Sequence, residues 1–333
     1  MKYGTIRGLG DRVSRLILGS MVFHTNNQEL TNDLLDTFHG AGGNAVDLAN
    51  VYGRGASEAA FGAWLKTRGT RKDMIVMAKG AHPVEPELIS RMTPEHIVGD
   101  LNIALERTGA GYADMYVLHK DDEKVPVNVI VDGLDACVRS GKAKVVGGSS
   151  WSTARLGAAN AYAAVTGKVP LSVSSPNHSL AVMNEYMYGW AGCLSLAGDV
   201  AALAWYTQTQ MPVLAWSSQA RGFFSGRMTR GAGPESGLSV HDLMVLRTYD
   251  DPKNWARLAR THRMAEKKGC TNTQIALAWV LHQPFPVFAL IGPRTVPELN
   301  DCFGALEIEL TPEEVAWLNL EEPVEIREPV GAR

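Results

Sequence analysis

Residues 43–55 read GNAVDLANVYGRG. The segment NAVDL, 44–48, is a short apolar run broken only by Asp47, and Tyr52 follows in a stretch rich in turn residues. A run that is apolar on both of its alternating faces fits a parallel strand covered by helices. A carboxylate at the end of such a strand and a phenol just beyond it predict that something is assembled where the strand surfaces.

Seven further runs have the same character: LIL at 16–18, MIVMA at 74–78, MYVL at 115–118, KVVGGS at 144–149, LSVSS at 171–175, PVLAW at 212–216 and VFALI at 287–291. Amphipathic segments separate them. Residues 31–40, 57–69, 93–109, 127–141 and 153–167 read as helices, the last four ending in Gly. Thr93 followed by Pro94 is a helix start, and Thr311 with Glu314 is a capping box that predicts an extra C-terminal helix at about 311–320. Eightfold strand–helix alternation without a compositional break predicts an α/β fold of the (β/α)8 TIM-barrel type, one domain over 1–333. A doubly wound open sheet is the other arrangement considered. The opening segment, about 3–15, reads as a hairpin, with Gly8 and Gly10 near its turn. Two long connections, 179–210 and 218–253, are expected as folded loops at the C-terminal rim.

Composition narrows the function classes. The 333 residues are 45% hydrophobic and 20% charged, with a net charge of −3 and both signs interspersed. No basic stretch points to nucleic acid, and no apolar run is long enough for membrane insertion. The N-terminal sequence lacks the apolar core of a signal peptide. Four scattered cysteines, Cys137, Cys193, Cys270 and Cys302, show no metal or disulfide spacing, so no metal is expected and a reduced, cytoplasmic setting is. GAGGNA at 40–45 fits a loose dinucleotide pattern, but it leaves a helix and enters a strand, the reverse of the phosphate-binding fingerprint.

The ends of successive strands carry the chemistry. Asp47 ends the second, Tyr52 follows it, Lys79 follows the third and His119 the fourth. In a parallel barrel these ends open onto one rim. A phenol holds its proton at neutral pH, and an adjacent ammonium favours the phenolate. Aspartate keeps the lysine charged, and a neutral histidine orients a substrate oxygen. The four compose a general acid for a carbonyl under nucleophilic attack. None of them is an attacking group, which points to a cofactor hydride.

These stretches resemble the aldo-keto reductases: DLANVYG (47–53), the lysine after the third strand, the histidine after the fourth, SGKAKVVGGSSW (140–151), AWSSQARGFFSG (215–226) and IGPRTVPEL (291–299). They follow family order from about residue 5 to 320. The resemblance implies a barrel that binds NADPH, with NADH also possible, and Tyr52 as proton donor tuned by Lys79 and Asp47 with His119 orienting the carbonyl. It implies Ser149 and Ser150 near the nicotinamide amide, and Ser217, Gln219, Gly222, Ser225 and Arg227 around the pyrophosphate. Gly292, Arg294, Thr295 and Glu298 fall at the adenosine end, with Arg294 and Thr295 toward a 2′-phosphate. Ser150 stands where the family usually has Asn, and Glu298 and Cys302 stand where it often has Gln and Asn.

Phe23, His24, Trp151, Trp190 and Phe223, beyond strand ends or in long loops, are candidates for the pocket wall. The expected substrate is a small aldehyde, ketone or sugar-like molecule. Two other functions fit parts of the pattern: a cofactor-bound partner subunit of an ion channel with slow turnover, and a lysine Schiff-base enzyme working through Lys79.

Overall fold

The computed structural model describes residues 1–9, 12–184 and 195–321, so Gly10 and Trp190 lie outside the described residues. Strands β1 (Tyr3–Thr5) and β2 (Arg12–Ser14) pair antiparallel as the predicted hairpin. Eight strands follow: β3 (Leu16–Gly19), β4 (Ala45–Ala49), β5 (Ile75–Gly80), β6 (Ala113–Leu118), β7 (Ala143–Ser149), β8 (Leu171–Ser175), β9 (Val213–Ala215) and β10 (Val287–Ile291). They are parallel and in sequence order, and β10 closes onto β3 to make a barrel. All eight coincide with the apolar runs.

Helices alternate with the strands: α1 (Gln28–Gly40), α2 (Ala56–Arg68), α3 (Pro94–Thr108), α4 (Val127–Arg139), α5 (Thr153–Thr166), α6 (Val200–Thr209), α7 (Val240–Tyr249), α8 (Pro252–Lys268), α9 (Asn272–Leu281), α10 (Val296–Gly304) and α11 (Pro312–Leu318). Thr93 caps α3 through the His96 N–H, and Gly109 ends it in the left-handed conformation. The Thr311–Glu314 capping box forms as read. The 40–45 segment is indeed the exit from α1 into β4. The two long connections differ from the expected loops: the first contains α6, the second a 3-10 strap (Ala220–Ser225) and α7.

Side-chain alternation divides the core in two. Ile17, Ala45, Met77, Met115, Val145, Val173 and Leu214 fill the barrel, joined by Ile6, Leu9 and Val13 of the hairpin segment. The alternate residues, such as Leu16, Leu18, Val46, Leu48, Val76 and Ala78, pack against the helices. The inward series therefore runs Ala45–Asp47 on β4, Ile75–Met77–Lys79 on β5 and Met115–Val117–His119 through β6. Each begins apolar deep in the barrel and ends polar at the C-terminal rim. A one-residue slip would bury these polar groups among the helices.

Just beyond β8, His178 is wholly buried against Trp279 and Phe285, with ring centroids 5.1 and 6.0 Å away. Neither ring nitrogen has a hydrogen-bond partner among the described residues. Burial pushes the imidazole down to about 3. Below the ordinary histidine range, near 6.5, the unfolded chain binds a proton that the native chain does not, so acidification favours unfolding. Between pH 7.5 and 5 this one group is expected to cost about 2 kcal/mol, at 1.36 kcal/mol per pH unit. Urea unfolding of the native protein and of His178→Phe checks this. The variant should lose less stability over that interval, and parallel curves would refute the assignment.

Candidate active site

The catalytic candidates meet at the C-terminal rim. Backbone register sets Asp47 beside Met77, and Lys79 beside Ala49 and Val117, so the two polar side chains are staggered by one inward step. Lys79 Nζ lies 2.8 Å from Asp47 Oδ2, and both side chains are buried. The same nitrogen lies 3.4 Å from the Tyr52 hydroxyl. Tyr52 starts a 3-10 turn (Tyr52–Gly55) in which Gly53, Arg54 and Gly55 all have positive φ. That reversal returns the chain into α2 directly after the phenol. The His119 ring stands edge-on to Tyr52, at 5.7 Å between centroids, and His82 stands edge-on to His119 at 4.9 Å.

Gly80 permits this spacing. A Cβ there would collide with the Tyr116 hydroxyl, which donates 2.7 Å to the Ile97 carbonyl and so ties β6 to α3. His119 N–H continues the ladder by donating to Gly80 O at 2.8 Å.

Charge follows from burial and neighbours. Burial alone would lower the Lys79 ammonium, but Asp47 and Tyr52 outweigh it and hold the group above its ordinary value. Burial raises the Asp47 carboxyl, opposed by Lys79. Burial, with Lys79, His82 and Lys120 nearby, keeps His119 well below the usual histidine range, so its imidazole is neutral at pH 7. Its Nδ1 is buried without a hydrogen-bond partner among the described residues. A Schiff-base role needs a neutral amine, and the Lys79–Asp47 pair opposes it.

These side chains open into a cavity of about 1680 Å³, larger than the usual range for one small ligand. Asp47, Tyr52, Lys79 and His119 line it. So do Ser149, Ser150, Ser217, Gln219, Gly222, Ser225, Arg227, Gly292, Arg294 and Glu298. Several are engaged by neighbours. Ser149 donates 2.9 Å to Ser175 O, Ser225 donates 2.6 Å to Gly222 O, and Arg227 places two nitrogens on Asp242 Oδ1 at 2.7 and 3.0 Å. Glu298 accepts from the Arg294 N–H at 2.7 Å.

Thr295 is not on the cavity wall; its hydroxyl caps α10 by accepting from Glu298 N–H. The pocket-wall expectation needs correction for the four described aromatic candidates, none of which lines the cavity. Phe23 is buried in the core in a turn closed by its N–H bond to Ser20 O, and His24 caps a 3-10 turn through the Asn26 N–H. Trp151 is buried and donates 3.2 Å to Lys120 O. Phe223 packs into Trp255 and Phe224. A position beyond a strand end does not say whether a ring turns inward or back against the helices.

Other wall residues were not anticipated. His82 lies three residues past Lys79, and Trp216 follows directly on β9. Strand-end placement, which identified Lys79 and His119, was the available signal for Trp216. His82 sits in a loop whose course the sequence leaves open. Among the described residues no cluster of His, Cys, Asp and Glu could hold a metal, and no helix is long and apolar enough to cross a membrane.

The sequence profile of the Aldo/keto reductase family matches residues 15–319. An uncharacterized oxidoreductase, YrpG, from Bacillus subtilis is 28% identical, over 96% of this chain and 95% of its own. The versiconal hemiacetal acetate reductase of Aspergillus parasiticus is 25% identical over 97% of each chain. The aldo-keto reductase yakc [NADP(+)] of Schizosaccharomyces pombe is 25% identical over 97% of this chain and 92% of its own. A closed parallel barrel, a polar quartet at its C-terminal rim and a profile match over nearly the whole length agree: the chain belongs to the aldo/keto reductase family.

Proposed function

We propose that the protein reduces a carbonyl substrate reversibly with NADPH, using Tyr52 as the general acid. The observation that carries this reading is the position of Lys79 Nζ, 2.8 Å from a buried carboxylate and 3.4 Å from the Tyr52 hydroxyl. A reduced nicotinamide held in the cavity would supply the hydride chemistry that none of these side chains can. Tyr52 gives its proton to the carbonyl oxygen as negative charge gathers there. The Lys79 ammonium stabilises the phenolate left behind, and Asp47 holds that ammonium charged in a buried site. His119, neutral and edge-on to Tyr52, donates a hydrogen bond that orients the carbonyl oxygen. In the oxidative direction the phenolate takes the alcohol proton back.

The cavity's residues fit a dinucleotide. Ser217, Ala220, Arg221 and Gly222 all have positive φ, and the last three lie within the 3-10 strap. A change of hand, as from Gln219 at φ −104° to Ala220 at φ 48°, is the kind of junction at which successive N–H groups converge on an anion, and strain of this kind collects at ligand sites. Ser217, Gln219 and Gly222 would hold the pyrophosphate, with Ser225 and Arg227 flanking them. Ser149 and Ser150 would meet the nicotinamide amide.

Arg294 would take a 2′-phosphate, to which a guanidinium binds bidentately. A charge-assisted bond of this kind contributes about 1.5–3 kcal/mol. Arg294→Ala is thus expected to raise the NADPH dissociation constant about 10- to 100-fold and to leave NADH nearly unaffected. Fluorescence titration with both cofactors measures this, and equal losses for the two would contradict a 2′-phosphate contact. The function itself is tested by cofactor absorbance across a panel of aldehydes and ketones. Absence of oxidation of either NADPH or NADH throughout the panel would refute it.

A further inference from the structure

Part of the cavity wall is apolar although it faces solvent, and Val51, next to Tyr52 in sequence, belongs to it. Met21, Val51, Val84 and Ile103 line it, and each is between 40% and 59% exposed. The described residues hold ten exposed large hydrophobic side chains in all, and four of them line this one cavity. They come from four separate segments: the turn after β3, the turn after β4, the loop after β5, and α3. Isolated surface hydrophobics need no explanation, but a group gathered at the rim of a functional cavity marks a ligand surface.

The two arginines nearby do not offer an anion site. Arg107 is held 2.9 Å from the buried Glu58 carboxylate. Arg91 is held by Asp100, whose carboxylate also accepts from Ala81 N–H at 2.8 Å. Glu85 adds negative charge beside His82. Arg107 and Arg91 are thereby committed to carboxylates, and their remaining effect on a bound molecule is weak.

We infer that the substrate carries an uncharged apolar arm that lies across Val51, Val84 and Ile103 while its carbonyl sits at Tyr52. This rests on the proposed carbonyl reduction and narrows it, placing alkyl and aryl aldehydes or ketones ahead of sugars and of phosphorylated or carboxylated carbonyls. A sugar would exchange hydration for aliphatic contacts that return none of its hydrogen bonds.

The test is a homologous series of straight-chain aldehydes from propanal to decanal, with succinic semialdehyde as the charged member. In the native protein kcat/KM is expected to climb about two- to fourfold per added methylene until the chain clears the rim, as partial to full burial of each CH2 predicts. Val84→Asn combined with Ile103→Asn should flatten that climb. Val165→Asn, an exposed valine on α5 away from the cavity, should leave the slope as in the native protein. Calorimetry of 1-decanol and 1-propanol binding gives a second readout that needs no turnover. A flat aldehyde series, a slope indifferent to the double substitution, or succinic semialdehyde as the best substrate would overturn the inference. Decanol binding that is lost in the double variant, without turnover of any aldehyde, would sustain the apolar arm and refute reduction instead.

Discussion

Tyr52→Phe is expected to lower kcat for carbonyl reduction by about 10²–10⁴-fold, the usual contribution of a positioned general acid. Cofactor affinity should change little, because the phenol sits at the catalytic end of the cavity and the phosphate candidates lie on the strap and at the start of α10. The substitution removes one oxygen from a half-buried ring and leaves its packing on His119 intact. Far-UV circular dichroism and urea unfolding should therefore match the native protein. Steady-state kinetics together with cofactor fluorescence titration separate the two effects. Near-native turnover would assign the proton to another group.

The second large effect is at Lys79. Lys79→Met removes the cation from a pair whose side chains are 3% and 5% exposed, leaving Asp47 buried beside an apolar chain. Breaking a buried pair from one side costs about 3–5 kcal/mol, because the remaining charge is stranded. Activity should fall at least as far as in Tyr52→Phe, since phenolate formation loses its stabilising cation. Adding Asp47→Asn removes the stranded charge and should recover most of the stability and none of the activity. Urea unfolding and kcat/KM on the two variants distinguish this from a general loss of folding. A double variant no more stable than Lys79→Met would show that the pair is not the source of the cost.

Much of the fold was legible because parallel strands sandwiched between a barrel interior and helices must be apolar on both faces. That requirement made NAVDL, MIVMA and MYVL stand out, and the structure begins each strand within two residues of those runs. The quartet was legible for a related reason. Inward positions repeat every second residue, so a polar group at the end of an apolar strand has only the rim to occupy.

What was not legible follows from missing local signals. α6 is apolar around its circumference and ends at Gln210 in the left-handed conformation rather than at a glycine, so neither a stripe nor a stop marked it. α7 lies in a stretch whose Gly and Pro residues suggest a loop, and its Ser239 cap is a single residue among many polar ones. The four described aromatic candidates fall off the cavity wall because their directions are set by packing rather than by their place after a strand. Phe223 is buried because Tyr249 and Trp255, on two helices far along the chain, close over it. The rim hydrophobics come from four separate segments and meet only in three dimensions.

The relation of the cation to the phenol is open to one direct measurement, a double-mutant cycle on kcat/KM between positions 79 and 52 in the Asp47→Asn background, where Lys79→Met folds without a stranded charge. If Lys79 acts through Tyr52, then Lys79→Met costs little once Tyr52 is Phe, and the combined loss stays within about threefold of the Tyr52→Phe loss alone. Losses that multiply, each substitution costing its full factor in the presence of the other, would contradict a proton donated by Tyr52 under the influence of Lys79.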